Sequence, residues 1–165
     1  MNKLVLAVIA AAWLGGAATV DEQRQPLVLQ VHNLDGQMQW LTDFTGKVVL
    51  LNFWSTTCPP CRVETPWFVE FQRRFEKDGF TVVGVSMDDT DHAIRAFNAQ
   101  FKVNYPMMAG RDVEEQIQKA TGGIWGMPTS FLIGRDGTVL KKHLGLVPKE
   151  LLEKEITEAL RRNAP

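Results

Sequence analysis

Residues 48–54 read Val-Val-Leu-Leu-Asn-Phe-Trp, an apolar run broken by one amide. Its length and continuity predict a central strand covered on both faces. Residues 80–87 repeat the pattern and predict a second buried strand. Between them Val63, Trp67, Phe71 and Phe75 recur at every fourth position, with Arg62, Glu70, Arg73 and Lys77 elsewhere on the cylinder. That spacing predicts an amphipathic helix ended by Gly79. Upstream, residues 27–31 and 37–41 flank the turn Asn33-Leu34-Asp35-Gly36 and predict a hairpin. Downstream, residues 88–91 offer short oxygen side chains to cap a helix reaching about Phe101. An extended piece at 105–108 and a helix at 113–120, stopped by Gly122-Gly123, come next. Strands at 130–133 and 138–144 then flank Arg135-Asp136-Gly137, and Pro148 opens a last helix bearing Leu151, Leu152, Ile156 and Leu160.

The order is two strands, then β–α–β–α–β–α–β–β–α, with no internal repeat, low-complexity tract or linker. Strands alternating with helices predict an α/β fold, a central mixed β-sheet flanked by helices, with the hairpin as an extra N-terminal piece. One domain, residues 21–165, accounts for everything after the first segment. Residues 1–20 have another character. Met1-Asn2-Lys3 gives a positive start, residues 4–14 an apolar core, and Gly15-Gly16-Ala17-Ala18 the small residues that precede a cleavage site. This is the layout of a secretory signal peptide; left uncleaved, it is an N-terminal anchor. Either way the domain is expected in the periplasm or on the extracytoplasmic face of the cytoplasmic membrane. A hydrophobic fraction of 45% and a charged fraction of 22% fit a packed core, and a net charge of -1 without a basic stripe argues against a nucleic-acid partner.

Export gives the cysteine count its meaning. The chain has 2 cysteines, Cys58 and Cys61, in one tight CxxC. A secreted disulfide framework would carry several spaced pairs, so this pair is a reaction centre. Cys58 falls where the strand gives way to the helix. There, unpaired N–H groups and the positive end of the helix dipole favour a thiolate, making Cys58 the attacking sulfur. Cys61, one turn further in, resolves the mixed disulfide. Pro59 and Pro60 carry no N–H, which leaves the amides of Cys61 and Arg62 as donors to the Cys58 sulfur and predicts a mildly depressed pKa and a reducing couple. No metal is expected: zinc needs about four ligands, and His32, His92 and His143 are scattered.

Residues 52–66, Asn-Phe-Trp-Ser-Thr-Thr-Cys-Pro-Pro-Cys-Arg-Val-Glu-Thr-Pro, resemble the TlpA/ResA-like branch of exported thioredoxins. Residues 126–137, Gly-Met-Pro-Thr-Ser-Phe-Leu-Ile-Gly-Arg-Asp-Gly, resemble the segment that carries that fold's cis-proline. The resemblance runs from about Leu27 to the final helix. It implies a thioredoxin fold and a thiol–disulfide oxidoreductase that reduces disulfides in exported proteins, apocytochrome c among the family's substrates, with no cofactor beyond the Cys58–Cys61 disulfide. A reductant in an oxidising compartment must itself be rereduced, which implies a membrane thiol electron donor; the domain is expected to be a monomer. The resemblance makes Glu64 a partly buried acid that helps move the resolving thiol's proton. Asn52 stands where ordinary thioredoxins carry a buried acid and cannot ionise. Pro128 is expected cis and opposite the cysteines, with the Met127 backbone pairing with substrate and Pro59 and Pro60 against it, while Trp54 and Trp125 are candidates for the walls of the substrate groove. Thr57 replaces a tryptophan common in the family, which removes an aromatic wall.

Three other functions fit parts of the pattern. A thiol peroxidase of the peroxiredoxin branch would need a proline ahead of its cysteine, and the strand before Cys58 has none. A copper metallochaperone on the same fold uses three residues between its cysteines, against two here. A redox-inert docking domain would not depend on Cys58 at all.

Overall fold

The computed structural model describes residues 25–162. The proposed signal or anchor at 1–20 therefore lies outside the described residues. The elements run β1 (Gln30–Asn33), β2 (Met38–Trp40), β3 (Val48–Trp54), α1 (Pro59–Phe75), β4 (Phe80–Ser86), α2 (Asp91–Phe101), β5 (Met107–Ala109), α3 (Glu114–Thr121), β6 (Thr129–Ile133), β7 (Val139–Leu144) and α4 (Lys149–Arg162). The strands form one sheet in the order β2-β1-β5-β4-β3-β6-β7. β3, β4 and β5 are parallel; the other pairings are antiparallel, so the sheet is mixed.

Alternation along β3 divides the core in two. Val48, Leu50 and Trp54 pack with Phe68, Phe71, Ile94, Phe97, Leu152 and Ile156, placing α1, α2 and α4 on one face. Val49, Leu51 and Phe53 pack with Leu27, Leu29, Leu41, Val113 and Ile117, so the N-terminal segment and α3 cover the other. Every residue of β3 and β4 is buried, as continuous apolar runs with a layer on each side must be.

Two details differ from the sequence expectation. The hairpin's first strand is Gln30–Asn33 rather than 27–31. Leu27 and Leu29 instead belong to an extended segment anchored by Leu27 N–H to the Gly137 carbonyl (2.9 Å) and Leu41 N–H to the Leu29 carbonyl (2.8 Å). The buried stripe of α1 also has a different phase. It comprises Cys61, Glu64, Thr65, Phe68, Phe71 and Gln72, while Val63 is 49% exposed. A spacing of four drifts by ~40° per step around a 3.6-residue helix, so a stripe begun at Val63 slides off the core. The polar members of the true stripe are bonded: Thr65 Oγ1 donates to the Cys61 carbonyl (2.8 Å) and Gln72 Oε1 accepts from Val82 N–H (2.8 Å).

Candidate active site

β3 ends at Trp54, and a three-residue loop leads to Cys58, the N-cap of α1. The two cysteines are joined as a disulfide with their Cα atoms 5.3 Å apart. Pro59 and Pro60 occupy the first helical positions, where a missing N–H costs no helical bond. The Cys61 N–H therefore becomes the first amide able to reach back, and it donates to Cys58 Sγ at 3.3 Å. The Arg62 N–H, expected as a second donor to that sulfur, bonds the Cys58 carbonyl instead (3.3 Å), because the helix ladder has begun by that residue. Cys58 is 9% exposed and Cys61 1%. The first cysteine is the one at the rim.

Glu64 lies one turn beyond Cys61 and is 2% exposed. Asn52 of β3 donates from Nδ2 to Glu64 Oε1 (2.7 Å) and to Ser130 Oγ of β6 (3.0 Å). Burial raises the Glu64 carboxyl to about 8, with the Asn52 hydrogen bond pulling in the opposite direction. Burial likewise raises the Tyr105 phenol far above its ordinary range, and the nearby Glu64 charge adds to the effect.

The loop before β6 lies at the same end of the sheet as the end of β3. Its Met127–Pro128 bond is cis. Thr129 Oγ1 donates to the Gly126 carbonyl (2.6 Å), and Gly145 N–H donates to the Pro128 carbonyl (2.7 Å). The register between β3 and β6 sets Phe53 against Thr129 and Asn52 against Ser130. The proline is thereby held next to the end of the strand that feeds Cys58.

The sequence profile of the redoxin family matches residues 19–160. The chain belongs to the redoxin family. Within it, this redoxin is 38% identical to a thiol-disulfide oxidoreductase ResA of Bacillus thuringiensis subsp. konkukian over 74% of its own length and 69% of the relative's. It is 32% identical to the ResA of Bacillus thuringiensis strain Al Hakam over 92% of its length and 94% of the relative's. A thiol:disulfide interchange protein of the thioredoxin family from Chlorobium tepidum superposes with a TM-score of 0.72 at 30% identity, covering 84% of this chain and 96% of that one. With its CxxC disulfide in a thioredoxin fold, this redoxin is a ResA-like thiol–disulfide oxidoreductase.

The structure separates the two tryptophan candidates for groove walls. Trp54 is 2% exposed and packs on Phe97 with ring centroids 4.4 Å apart, so it is a core residue and lines no groove. It shares the parity of Val48 and Leu50 on β3, which directs it under α1 and α2. Trp125 is 85% exposed beside the cis-proline loop. Pro59 is exposed and Pro60 half-buried. Among the described residues no group of three or more His, Cys, Asp or Glu is placed to hold a metal ion. His143 instead pairs with Glu155 at 2.7 Å.

Asp89 and Arg62 position the loop before Cys58, and neither stood out in the sequence. Asp89 accepts from Thr56 N–H (2.7 Å), Thr56 Oγ1 (2.5 Å) and Ser86 Oγ (2.6 Å). In the sequence it is one of four possible caps for α2, but Thr90 is the cap, accepting from Ala93 N–H (3.3 Å). Arg62 Nη1 donates to the Thr56 carbonyl (3.3 Å) while its guanidinium lies over Phe97 and Phe101, 5.5 and 5.0 Å from the ring centroids.

Proposed function

We propose that the protein works outside the cytosol as a reductant of disulfides in exported proteins, with Cys58 as attacking thiolate and Cys61 as resolving thiol. In the reduced protein the Cys58 thiolate attacks one sulfur of the substrate disulfide. A mixed disulfide forms and the other substrate sulfur leaves as thiolate. Cys61, losing its proton, then attacks Cys58 Sγ, the second substrate thiolate departs, and two electrons have passed to the substrate. Glu64 is the proposed acceptor of the Cys61 proton. With its carboxyl raised to about 8, it is close to a thiol in proton affinity, so transfer between them is nearly level. The backbone of Met127, beside Pro128, is the proposed pairing edge for an extended substrate segment, with Pro59 and Pro60 across from it.

The observation that carries this order of attack is the asymmetry of the pair: Cys58 at the rim, with its sulfur receiving an amide N–H, and Cys61 covered. Cys61→Ser should trap mixed disulfides with exported proteins, whereas Cys58→Ser should trap none; the reverse pattern overturns the assignment. Identifying the captured proteins tests apocytochrome c as substrate and the need for a membrane thiol donor. Location outside the cytosol rests on the apolar segment at 1–20. Fractionation and N-terminal sequencing of the protein from cells test both export and cleavage. The domain assignment 21–165, the monomeric state and the absence of a cofactor beyond the disulfide belong to the same proposal.

A further inference from the structure

A groove of about 260 Å3 opens beside the cis-proline loop. Its apolar walls are Met87, Ile124, Trp125 and Met127, and two carboxylates, Asp88 and Glu114, also line it. Met87 N–H bonds the Trp54 carbonyl (3.0 Å), which ties this wall to the end of β3. Asp88 adjoins Asp89, which is fastened to Thr56, so the groove is built against the same loop that presents Cys58. The opposite wall is equally fixed. Gln118 Oε1 accepts from Ile124 N–H (2.7 Å), and a Cβ at Gly123 would come within 2.8 Å of the Trp125 indole. The Trp125 indole packs beside the Gly123 backbone and is otherwise open, at 85% exposed.

Neither carboxylate has a hydrogen-bond or ion-pair partner among the described residues. Glu114 opens α3, where a negative charge suits the helix start; Asp88 is in no helix and has no such reason. Lys142, the cation bonded to this loop, donates to the carbonyls of Thr121 (3.3 Å) and Gly123 (3.2 Å) and does not line the groove. An open aromatic face, an apolar floor and two unpaired carboxylates together suit one kind of side chain: a long apolar stem ending in a cation.

We propose that this groove is a subsite for a lysine or arginine of the polypeptide whose disulfide is exchanged. The cation meets Asp88 and Glu114, and the stem lies on Trp125 and Met127. The proposal rests on the substrate pairing with the Met127 backbone described above. In an extended segment, alternate side chains point the same way, so the basic residue belongs close to the reactive cysteine.

The test uses peptides of one sequence whose single cysteine is carried as a mixed disulfide with thionitrobenzoate. Lysine, norleucine or glutamate is placed two residues to either side of the cysteine. Attack by the Cys58 thiolate releases thionitrobenzoate, which is followed optically, and Cys61 then frees the peptide thiol. The lysine peptide should react about tenfold faster than the glutamate peptide, with norleucine between them and the spread shrinking in high salt. In a variant carrying Asp88→Lys and Glu114→Lys, both at exposed positions, the order should reverse, which loss of folding cannot mimic. Rates within about twofold across the three peptides, or an unreversed order in the variant, overturn the subsite. Reaction with all three peptides and no charge preference leaves the exchange reading intact, whereas release from none defeats that reading and the subsite with it.

Discussion

Glu64 is a carboxylic acid held at about 8, so its protonation changes within the range where thiols also exchange protons. The consequence for stability has a definite sign. The folded value lies above the ordinary 4.5, so the folded state binds more protons than the unfolded state between the two. Stability from this group is complete below about 4.5 and is lost as pH rises to about 8. Urea unfolding of the oxidised protein at pH 5 and pH 8.5 should show a loss on the order of a few kcal/mol, and Glu64→Gln should largely abolish it. If Glu64→Gln leaves the pH dependence of the resolving step unchanged, the acid is not the proton acceptor. Position along α1 put Glu64 next to Cys61 from sequence alone. Its burial was not legible, because that depends on Asn52 and Ser130 from two other strands. Trp54 is the opposite case: a strand covered on both faces buries either parity, and only its packing on Phe97 shows that it belongs to the core.

Elements were legible where apolar runs were long and became less so where polar side chains are buried. α1 illustrates this. Counting only hydrophobic residues chose Val63 and Trp67, while the core takes Glu64, Thr65 and Gln72 because each has a bonded partner. Phe68→Ala should therefore cost about 3–5 kcal/mol, and Val63→Ala should stay within about 0.5 kcal/mol, both read from chemical unfolding. Equal costs would restore the four-residue stripe. The loop between β3 and α1 makes its own prediction. Asp89→Ala leaves Thr56 N–H, Thr56 Oγ1 and Ser86 Oγ without their shared acceptor. About 2–4 kcal/mol of stability should be lost, with faster hydrogen exchange at the Thr56 amide, and Asp89→Asn should recover part of both. No hydrophobic pattern announces such a clamp, since it joins residues 33 positions apart.

At the scale of the molecule, the order of elements was readable because strands and helices alternate cleanly, and the N-terminal hairpin was placed correctly as an addition. What covers the sheet beside α3 was not readable: the hairpin lies at the sheet edge, and the cover comes from the segments flanking it. Leu27, Leu29 and Leu41 complete the α3 side of the core. Leu29→Ala, at a site 3% exposed, should cost about 2–5 kcal/mol, showing that the extended segment ahead of β1 is part of the core. A value near zero would make it a detachable ornament.

The pairing of β3 with β6 has a further consequence. Cys58 and Pro128 stand far apart along the chain, yet the distance between them is measured out by rungs of one ladder, Phe53 to Thr129 and Asn52 to Ser130. Other loops and helices inserted between those strands can lengthen, shorten or change their chemistry without moving the sulfur relative to the proline, provided the rungs do not slip and Asp89 and Arg62 keep their hold on Thr56. The scaffold thus separates two tasks: the ladder fixes the end of β3 against the proline loop, while Asp88, Glu114 and Trp125, which take no part in that ladder, can change without disturbing it.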